Sequence, residues 1–453
     1  MKQIFSLFFL CSTTIYASIL VDILDSALKN NHNMKVAQAR LNYEHASSYY
    51  ENERSNVKFI ADGFARYYTP QESGLVHPHY NLPSSAVYEH FTKANLNITL
   101  SKDIYSPKTI ALQALGKEKV KKASYAFNEN KNMLILDIVH EYIRLLKRYD
   151  ALHLSQERYF LSNKELEEAV AKEEVGKLDK VELQLLESKN LEFKVMQRVH
   201  LDQFDNALNG FELLTKKPLE GLKFLKQAIN YRAKNIPPLS FYQQSLLSKN
   251  PKLLESEEDI AIAHKNIAVI QAKYNPSLTA QAGYEYTQNY TPIVLGRTYE
   301  SGAFVGISTM IPIYTGGRYE AETQKGMMAV REKEEKKEQE ASKLLLSLKK
   351  EYRLYNSIVL EIEVARQHLE TLSLLDKQAS IKTQEGMMFP IEKAKIEYQY
   401  KEAQNYLKQL EYNYFLADTN IKYLAGMLCR EDLMLFESQL RENIFSIKKL
   451  RER

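Results

Sequence analysis

Apolar residues recur at alternating three- and four-residue steps along two long stretches of this chain. Ile135, Ile138, Tyr142, Leu145, Tyr149, Leu152, Tyr159, Leu166 and Val170 hold that spacing, with Gln156 and Asn163 interrupting it. Leu345, Leu348, Tyr352, Tyr355, Val359, Ile362 and Leu369 hold it in the second stretch. This is the seam of coiled-coil packing, and Glu, Lys, Gln and Ser fill the opposite faces. No proline lies between Pro107 and Pro218, or between Pro312 and Pro390, so nothing breaks the pattern. The spacing predicts helices over 108–174 and 317–385. Each would be roughly 100 Å long at the usual rise per residue.

Each long helix ends at a glycine turn, Gly176 or Gly386, and a shorter helix returns over 178–214 or 390–424. Pro390 suits the first turn of such a helix. The returns, roughly 55 Å each, cover just over half of their partners. Two further helical segments, 21–54 and 251–273, can cover the remainder. Each long helix is therefore expected to pair with two shorter ones stacked end to end.

Elsewhere the period falls to two. Ala94, Leu96, Ile98 and Leu100 alternate with Lys93, Asn95, Asn97 and Thr99. Leu278, Ala280, Ala282, Tyr284 and Tyr286 oppose Thr279, Gln281, Gly283, Glu285 and Thr287. Ala303, Val305 and Ile307 oppose Gly302, Phe304, Gly306 and Ser308. The stretch 57–67 is less regular, with Asp62 and Arg66 on its polar side beside Ile60 and Phe64. These are strands of roughly nine to thirteen residues, long enough to cross an outer membrane when tilted. Tyr67, Tyr68, Tyr88, Phe91, Tyr290 and Tyr299 cluster near their ends, as an aromatic girdle would.

The two halves are copies. Gly176 falls on Gly386, Glu141-Tyr142 on Glu351-Tyr352 and Val181-Glu182 on Ile391-Glu392, all about 210 residues apart. Upstream, Asn31-His32-Asn33 falls on Asn250-Pro251-Lys252 at an offset of about 219, so a loop between the paired strands absorbs the difference. Four strands cannot close a barrel, for which about eight is the minimum. An open sheet in lipid would leave unpaired edges costing several kcal/mol per group. A membrane reading thus requires strands shared among subunits, and three subunits would supply twelve. The competing reading is a secreted or periplasmic structural coiled-coil protein with a soluble β region.

Composition narrows the choice. The chain has 453 residues, 26% of them charged, with 30 Tyr, 15 Gly and no Trp, which suits extended helices better than compact α/β units. A net charge of +4 without a long basic block argues against nucleic acid as a partner. Residues 1–17 read as a secretory signal: Lys2, an apolar core over 4–10, and Ala17 before Ser18. Phe8-Phe9-Leu10 before Cys11 lacks the small residues of a lipoprotein site, and cleavage would leave Cys429 as the single thiol. No segment reads as a transmembrane helix, so any span must be made of strands.

Residues capable of chemistry do not form a catalytic pattern. His77, His79 and His90 lie in or near a strand-connecting loop and are read as solvent-facing rather than metal-binding. Gly316-Gly317 precedes a helix without the Lys-Ser/Thr of a phosphate loop, so it reads as a strand-to-helix bend. No nucleophile elbow surrounds any serine. The chain is not expected to be an enzyme or to carry a metal or cofactor.

The order helix, strand, strand, long helix, glycine turn, return helix, given twice, resembles the TolC-like outer-membrane efflux family. Val175-Gly176 with Glu182, Gly386 with Glu392, and Leu424-Ala425-Gly426 at the end of the second return helix carry the resemblance, which covers nearly the whole mature chain. It implies a mainly α fold with a β-barrel portion: a homotrimer with a twelve-stranded transmembrane β-barrel on a periplasmic α-barrel. Residues 57–105 and 276–314 would form the barrel strands and extracellular loops. Residues 18–56, 106–214, 246–275 and 315–428 would form the α-barrel, with 215–245 and 429–453 in an equatorial region. Such a protein is a passive exit duct in the outer membrane. Its partners are outer-membrane lipid, a periplasmic adaptor (membrane fusion) protein and an inner-membrane RND-type or ABC-type pump.

The resemblance also implies site residues. Glu182 and Glu392 take the positions of the carboxylates at the periplasmic aperture. Lys395 stands where the family has a second acid, so a mixed Glu392/Lys395 ring is expected in place of an anionic one. Thr383 and Met388 occupy the positions of the family's latch Tyr and Arg. The tip turns Gly176 and Gly386, with Met387, Phe389 and Pro390, are the expected adaptor contact. The apolar Met387-Met388-Phe389 run reads either as packing within closed hairpin ends or as that docking surface.

Overall fold

The structure, a computed structural model, describes residues 19–72, 88–226, 236–291, 296–441 and 445–447. The expected signal segment, Cys11, His77 and His79 lie outside them. The first half runs α1 (Ile19–Asn30), α2 (His32–Glu53), β1 (Lys58–Glu72), β2 (Tyr88–Tyr105), α3 (Pro107–Glu174), α4 (Lys180–Thr215) and β3 (Gly221–Leu222). The second runs α5 (Leu239–Lys249), α6 (Pro251–Ala272), β4 (Ser277–Thr291), β5 (Gly296–Met310), α7 (Arg318–Gln384), α8 (Pro390–Leu424), α9 (Arg430–Ser438) and β6 (Phe445–Ser446). The long helices are continuous at 68 and 67 residues, as their proline-free seams predict.

The chain divides into two compact units. One holds Leu41–Ala123 and Ser256–Lys336; the other holds Ser124–Glu255, the described residues through Arg40 and those from Lys337 onward.

The first unit contains a four-stranded antiparallel sheet in the order β1-β2-β4-β5. Its register sorts the side chains cleanly. Phe59, Leu100, Ala282 and Val305 share one row, and Ala61, Ile98, Tyr284 and Ala303 share the next; both lie on the apolar face. On the opposite face Asp62, Asn97, Glu285 and Gly302 share a row. The irregular alternation of β1 places Ile60 on this polar face, in the row of Thr99, Gly283 and Phe304. Gly283 is required there: a Cβ would stand 2.5 Å from the Ile98 carbonyl oxygen and 2.8 Å from the Phe304 ring. In the same unit α2 and α6 flank the starts of the long helices. Gln113 of α3 donates to the Glu51 and Asn52 carbonyls, and Lys273, just past α6, pairs with Glu322 of α7.

The second unit holds the hairpins, built around two cores. Ile135, Ile138, Tyr142 and Leu145 of α3 pack with Phe204, Leu208 and Phe211 of α4, and with Leu20, Ile23 and Leu24 of α1. Leu348, Tyr355, Ile358 and Ile362 of α7 pack with Leu410, Tyr414 and Ile421 of α8, and with Tyr242 and Leu246 of α5. The segment expected as one helix over 21–54 is broken at Asn31, and its repeat counterpart α5 begins at Leu239, inside the stretch expected to be a link. No glycine or proline marks the break at Asn31, so composition hides it, whereas Pro237 and Pro238 stand directly before α5, with Pro238 as its N-cap.

The breaks are joints. Asn31 Nδ2 donates to the Leu214 carbonyl at 2.9 Å, while its Oδ1 accepts from the backbone N–H groups of Asn33 and Met34 at 2.8 and 3.4 Å. Asn250 repeats the arrangement with Leu424 at 2.9 Å, and with Lys252 and Leu253 at 3.0 and 3.3 Å. Ser26 and Ser245 add hydroxyl bonds to the Thr215 and Ala425 carbonyls. One asparagine thus opens a helix and closes the helix stacked on it. The short pairing of β3 with β6 ties the C-terminal segment to the link after α4, and the hydroxyl of buried Tyr142 bonds both backbone groups of Lys223 there.

Candidate functional site: hairpin tips, seam and sheet faces

The two tips are built alike. Gly176 and Gly386 take φ of +70° and +75°, which only glycine adopts at little cost. Around each, two backbone bonds close the helix end: Gly176 N–H to Glu173 and Lys177 N–H to Lys172, then Gly386 N–H to Thr383 and Met387 N–H to Lys382. This is the Schellman arrangement, and it satisfies carbonyls that the helix leaves open. Met387 and Phe389 are exposed, while Met388 is half-buried. Pro390 occupies the first turn of α8.

Glu182 and Glu392 both sit exposed in the first turn of their helices, where a carboxylate complements the helix dipole. Glu392 accepts from the Phe389 backbone N–H at 3.3 Å, one half of a capping box; Phe389 has no side-chain acceptor for the other half. Lys395 pairs with Glu165 of α3 at 3.4 Å. Thr383 bonds back to the Ala379 carbonyl of its own helix at 2.8 Å.

Lys395 begins a polar seam between α3 and α8. Lys401 meets Glu157 at 2.9 Å and Lys408 meets Asp150 at 3.0 Å. Tyr412 donates to the other Asp150 oxygen at 2.6 Å, Lys147 to Asn413 at 2.6 Å, and His140 contacts Asn420 at 2.8 Å. Burial pulls the Lys401 ammonium down, but Glu157 and Glu397 outweigh it and hold it above the usual lysine range. Burial, with Asp150 alongside, keeps the Tyr412 phenol protonated. Sequence reading missed this seam, although acids at 150, 157 and 165 and lysines at 395, 401 and 408 recur every two turns on antiparallel helices.

In the sheet unit the apolar face stands open, and Asn95 on the polar face bonds Thr287 at 3.0 Å. The outer edges of β1 and β5 are the ends of the hydrogen-bonded order. Gly316 and Gly317 take positive φ and turn the chain into α7, as a bend. No described helix is long and apolar enough to cross a membrane. Among the described residues no group of three His, Cys, Asp or Glu is placed to hold a metal. Burial, then Glu431 and Asp432, pushes the Cys429 thiol up to about 11, so it is held as the unreactive thiol.

Comparison with known proteins agrees with this architecture. Residues 242–427 match the family described as Outer membrane efflux protein. The alkaline protease secretion protein AprF of Pseudomonas aeruginosa is 21% identical over 236 residues, 52% of this chain and 49% of that one. The chain therefore spans about half the length of this curated relative. The Campylobacter jejuni CmeC outer membrane channel superposes with a TM-score of 0.70 at 15% identity, over 93% of this chain and 90% of its own. The outer membrane protein VceC of Vibrio cholerae gives 0.67 at 14%, over 90% and 96%.

Proposed function

We propose, taking as premise that this chain belongs to the TolC-like outer membrane efflux protein family, that it is a passive exit duct of the outer membrane. Three copies share their sheets as a twelve-stranded barrel, and the helices continue into the periplasm. Substrate passes from a periplasmic adaptor and an inner-membrane pump of RND or ABC type, which supply the energy. The protein contributes a wall and an aperture; it performs no chemistry.

The open sheet carries this reading. Phe59, Val305 and Ile307 on its apolar face are 71, 89 and 69% exposed. A soluble coiled-coil protein would bury that face against its own helices. Lipid covers it at no such cost, and pairing β5 of one copy with β1 of the next satisfies both edges. The polar face then lines the channel.

At the periplasmic end, Glu182 and Glu392 line the aperture. Lys395, engaged with Glu165, ties the second hairpin to the first and contributes positive charge beside Glu392. Thr383 and Met388 replace a polar latch with intrahelical bonding and packing. Met387 and Phe389 at the tip of the second hairpin are the adaptor contact. The test is fractionation followed by planar-bilayer recording. The protein should remain in the outer-membrane fraction after salt and carbonate washing, run as a trimer in detergent and form discrete channels. A water-soluble monomer would overturn the reading.

A further inference from the structure

The polar face of the sheet changes character along the strands. Its rows lie about 7 Å apart, two residues of strand each. Nearest the end where the strands meet the helices, Lys58, Ser101, Gln281 and Gly306 share a row. The next row, Ile60, Thr99, Gly283 and Phe304, carries no charge. Asp62, Asn97, Glu285 and Gly302 follow, and then Phe64, Asn95, Thr287 and Glu300. Arg66 and Lys93 are partners in the row beyond, farther from the helices.

The charges are thus sorted by row, although they come from four different strands. Two consecutive rows in the middle hold Asp62, Glu285 and Glu300 and no base; the row outside them holds Arg66 and Lys93 and no acid. Asp62, Glu285, Glu300 and Arg66 are exposed, and Lys93 is half-buried. The Arg66 guanidinium lies 4.5 Å from the centre of the Phe64 ring, which holds it against the wall. A surface that only had to be wet would gain most from mixed signs. Segregated signs leave a field standing along the face.

We propose that these rows form two opposed charge belts inside the barrel, acidic at its middle and basic on the outer side. Asp62, Glu285, Glu300, Arg66 and Lys93 then sort solutes by charge within the membrane as well as at the periplasmic mouth. The inference rests on the reading of the polar face as the wall of a trimeric channel. Three copies supply nine carboxylates to the acidic belt and six cations to the basic one. The low-dielectric wall focuses their field into the lumen. At 0.1 M salt the screening length is about 10 Å, so each belt dominates near its own row and is partly offset by the other. A cation from outside meets the basic belt first; one from the helical end meets the acids first.

Single thiols in full-length Cys429→Ser protein read the field at each belt. G302C stands in the acidic belt, where an added Cβ meets nothing within 4 Å. R66C stands in the basic belt, where Lys93 remains. Trimers in lipid vesicles are treated with a cationic and with an anionic methanethiosulfonate. The ratio of the two rates at 0.1 M salt is divided by the ratio at 1 M, where the screening length falls to about 3 Å. This quotient should be at least fivefold above unity for G302C, and at least fivefold lower for R66C than for G302C. Adding D62N and E285Q should bring the G302C quotient close to unity, and adding K93S should raise that of R66C. Equal quotients at the two positions overturn the belts, as does a G302C quotient untouched by D62N and E285Q. Should G302C not assemble, N97C reads the same row. V305C, on the apolar face, tests the channel reading separately, because lipid should shield it from both reagents. A V305C that reacts as fast as G302C, or a G302C that reacts with neither reagent, defeats the channel wall and the inference with it. Shielded V305C beside reactive G302C and R66C of equal quotient defeats the belts alone.

Discussion

The asparagine joints give the most direct test of how the stacked helices hold together. Asn250 is 4% exposed and Asn31 7%, so water cannot replace the bonds they make. Asn250→Ala removes the cap at the start of α6, worth about 1 kcal/mol. It also orphans the Leu424 carbonyl near the end of α8, at about 1–3 kcal/mol. The joint should therefore open more easily by about 2–4 kcal/mol. At about 1.4 kcal/mol per tenfold, amide exchange at Lys252 and Leu253 and in the last turn of α8 should rise by about 30-fold to several hundredfold.

Asn250→Asp separates the two functions. Its carboxylate keeps an acceptor for the Lys252 and Leu253 N–H groups but loses the donor to Leu424. The second oxygen then faces a carbonyl at the negative end of α8. Exchange in the last turn of α8 should be at least as fast as in Asn250→Ala. Asn31→Ala should behave like Asn250→Ala in its own core, and the two losses should add, because the joints belong to separate apolar clusters. Hydrogen exchange read by mass spectrometry on peptides covering 250–256 and 420–428 checks this. Unchanged protection in Asn250→Ala, or recovery of α8 in Asn250→Asp, would refute the two-way cap.

Other outcomes follow from the tips and the C-terminal segment. Gly386→Ala should speed exchange across the second tip by roughly tenfold, since φ of +75° costs an L-residue about 1–2 kcal/mol and no atom lies within 4 Å to add a clash. Lys395→Glu breaks the tie to Glu165 and sets two carboxylates together, so recorded channels should show higher conductance and stronger cation selectivity. Asp432 lies 2.9 Å from Lys422; burial pushes its carboxyl up, but Lys422 and Cys429 prevail and hold it below 3.8. A depressed carboxylate stabilises above its unfolded pKa, so proteolysis at α9 should stay slow at pH 7 and accelerate as the pH falls below 3.8. Lys422 is held above 10.5, so its share persists to at least that pH.

How far the sequence discloses this molecule depends on whether a feature repeats locally or only across distance. Helix and strand periods are local, so α3, α7 and α8 are legible nearly to the residue from their seams and from Gly176, Gly386 and Pro390. The two-faced sheet is legible in β2, β4 and β5 but not in β1, whose Ile60 and Phe64 make sense only once the register sets them beside Thr99 and Asn95. Asn31 and Asn250 appear in sequence only as a matched pair, since their acceptors lie 183 and 174 residues away. Glu437, which caps α1 through the Ile19 and Leu20 N–H groups, has no local signature at all. The seam charges fall between these cases. Aligning the copies alone shows Asp150 opposite Leu360 and Lys401 opposite Leu191, which reads as drift. Once α3 and α8 are known to touch, the same differences sort by environment. Acids and lysines lie where a chain meets itself and can fix its own register. At the matching positions of α4 and α7, Leu185, Leu191, Leu360 and Leu375 are exposed instead, so the charges follow the α3–α8 contact and not the repeat.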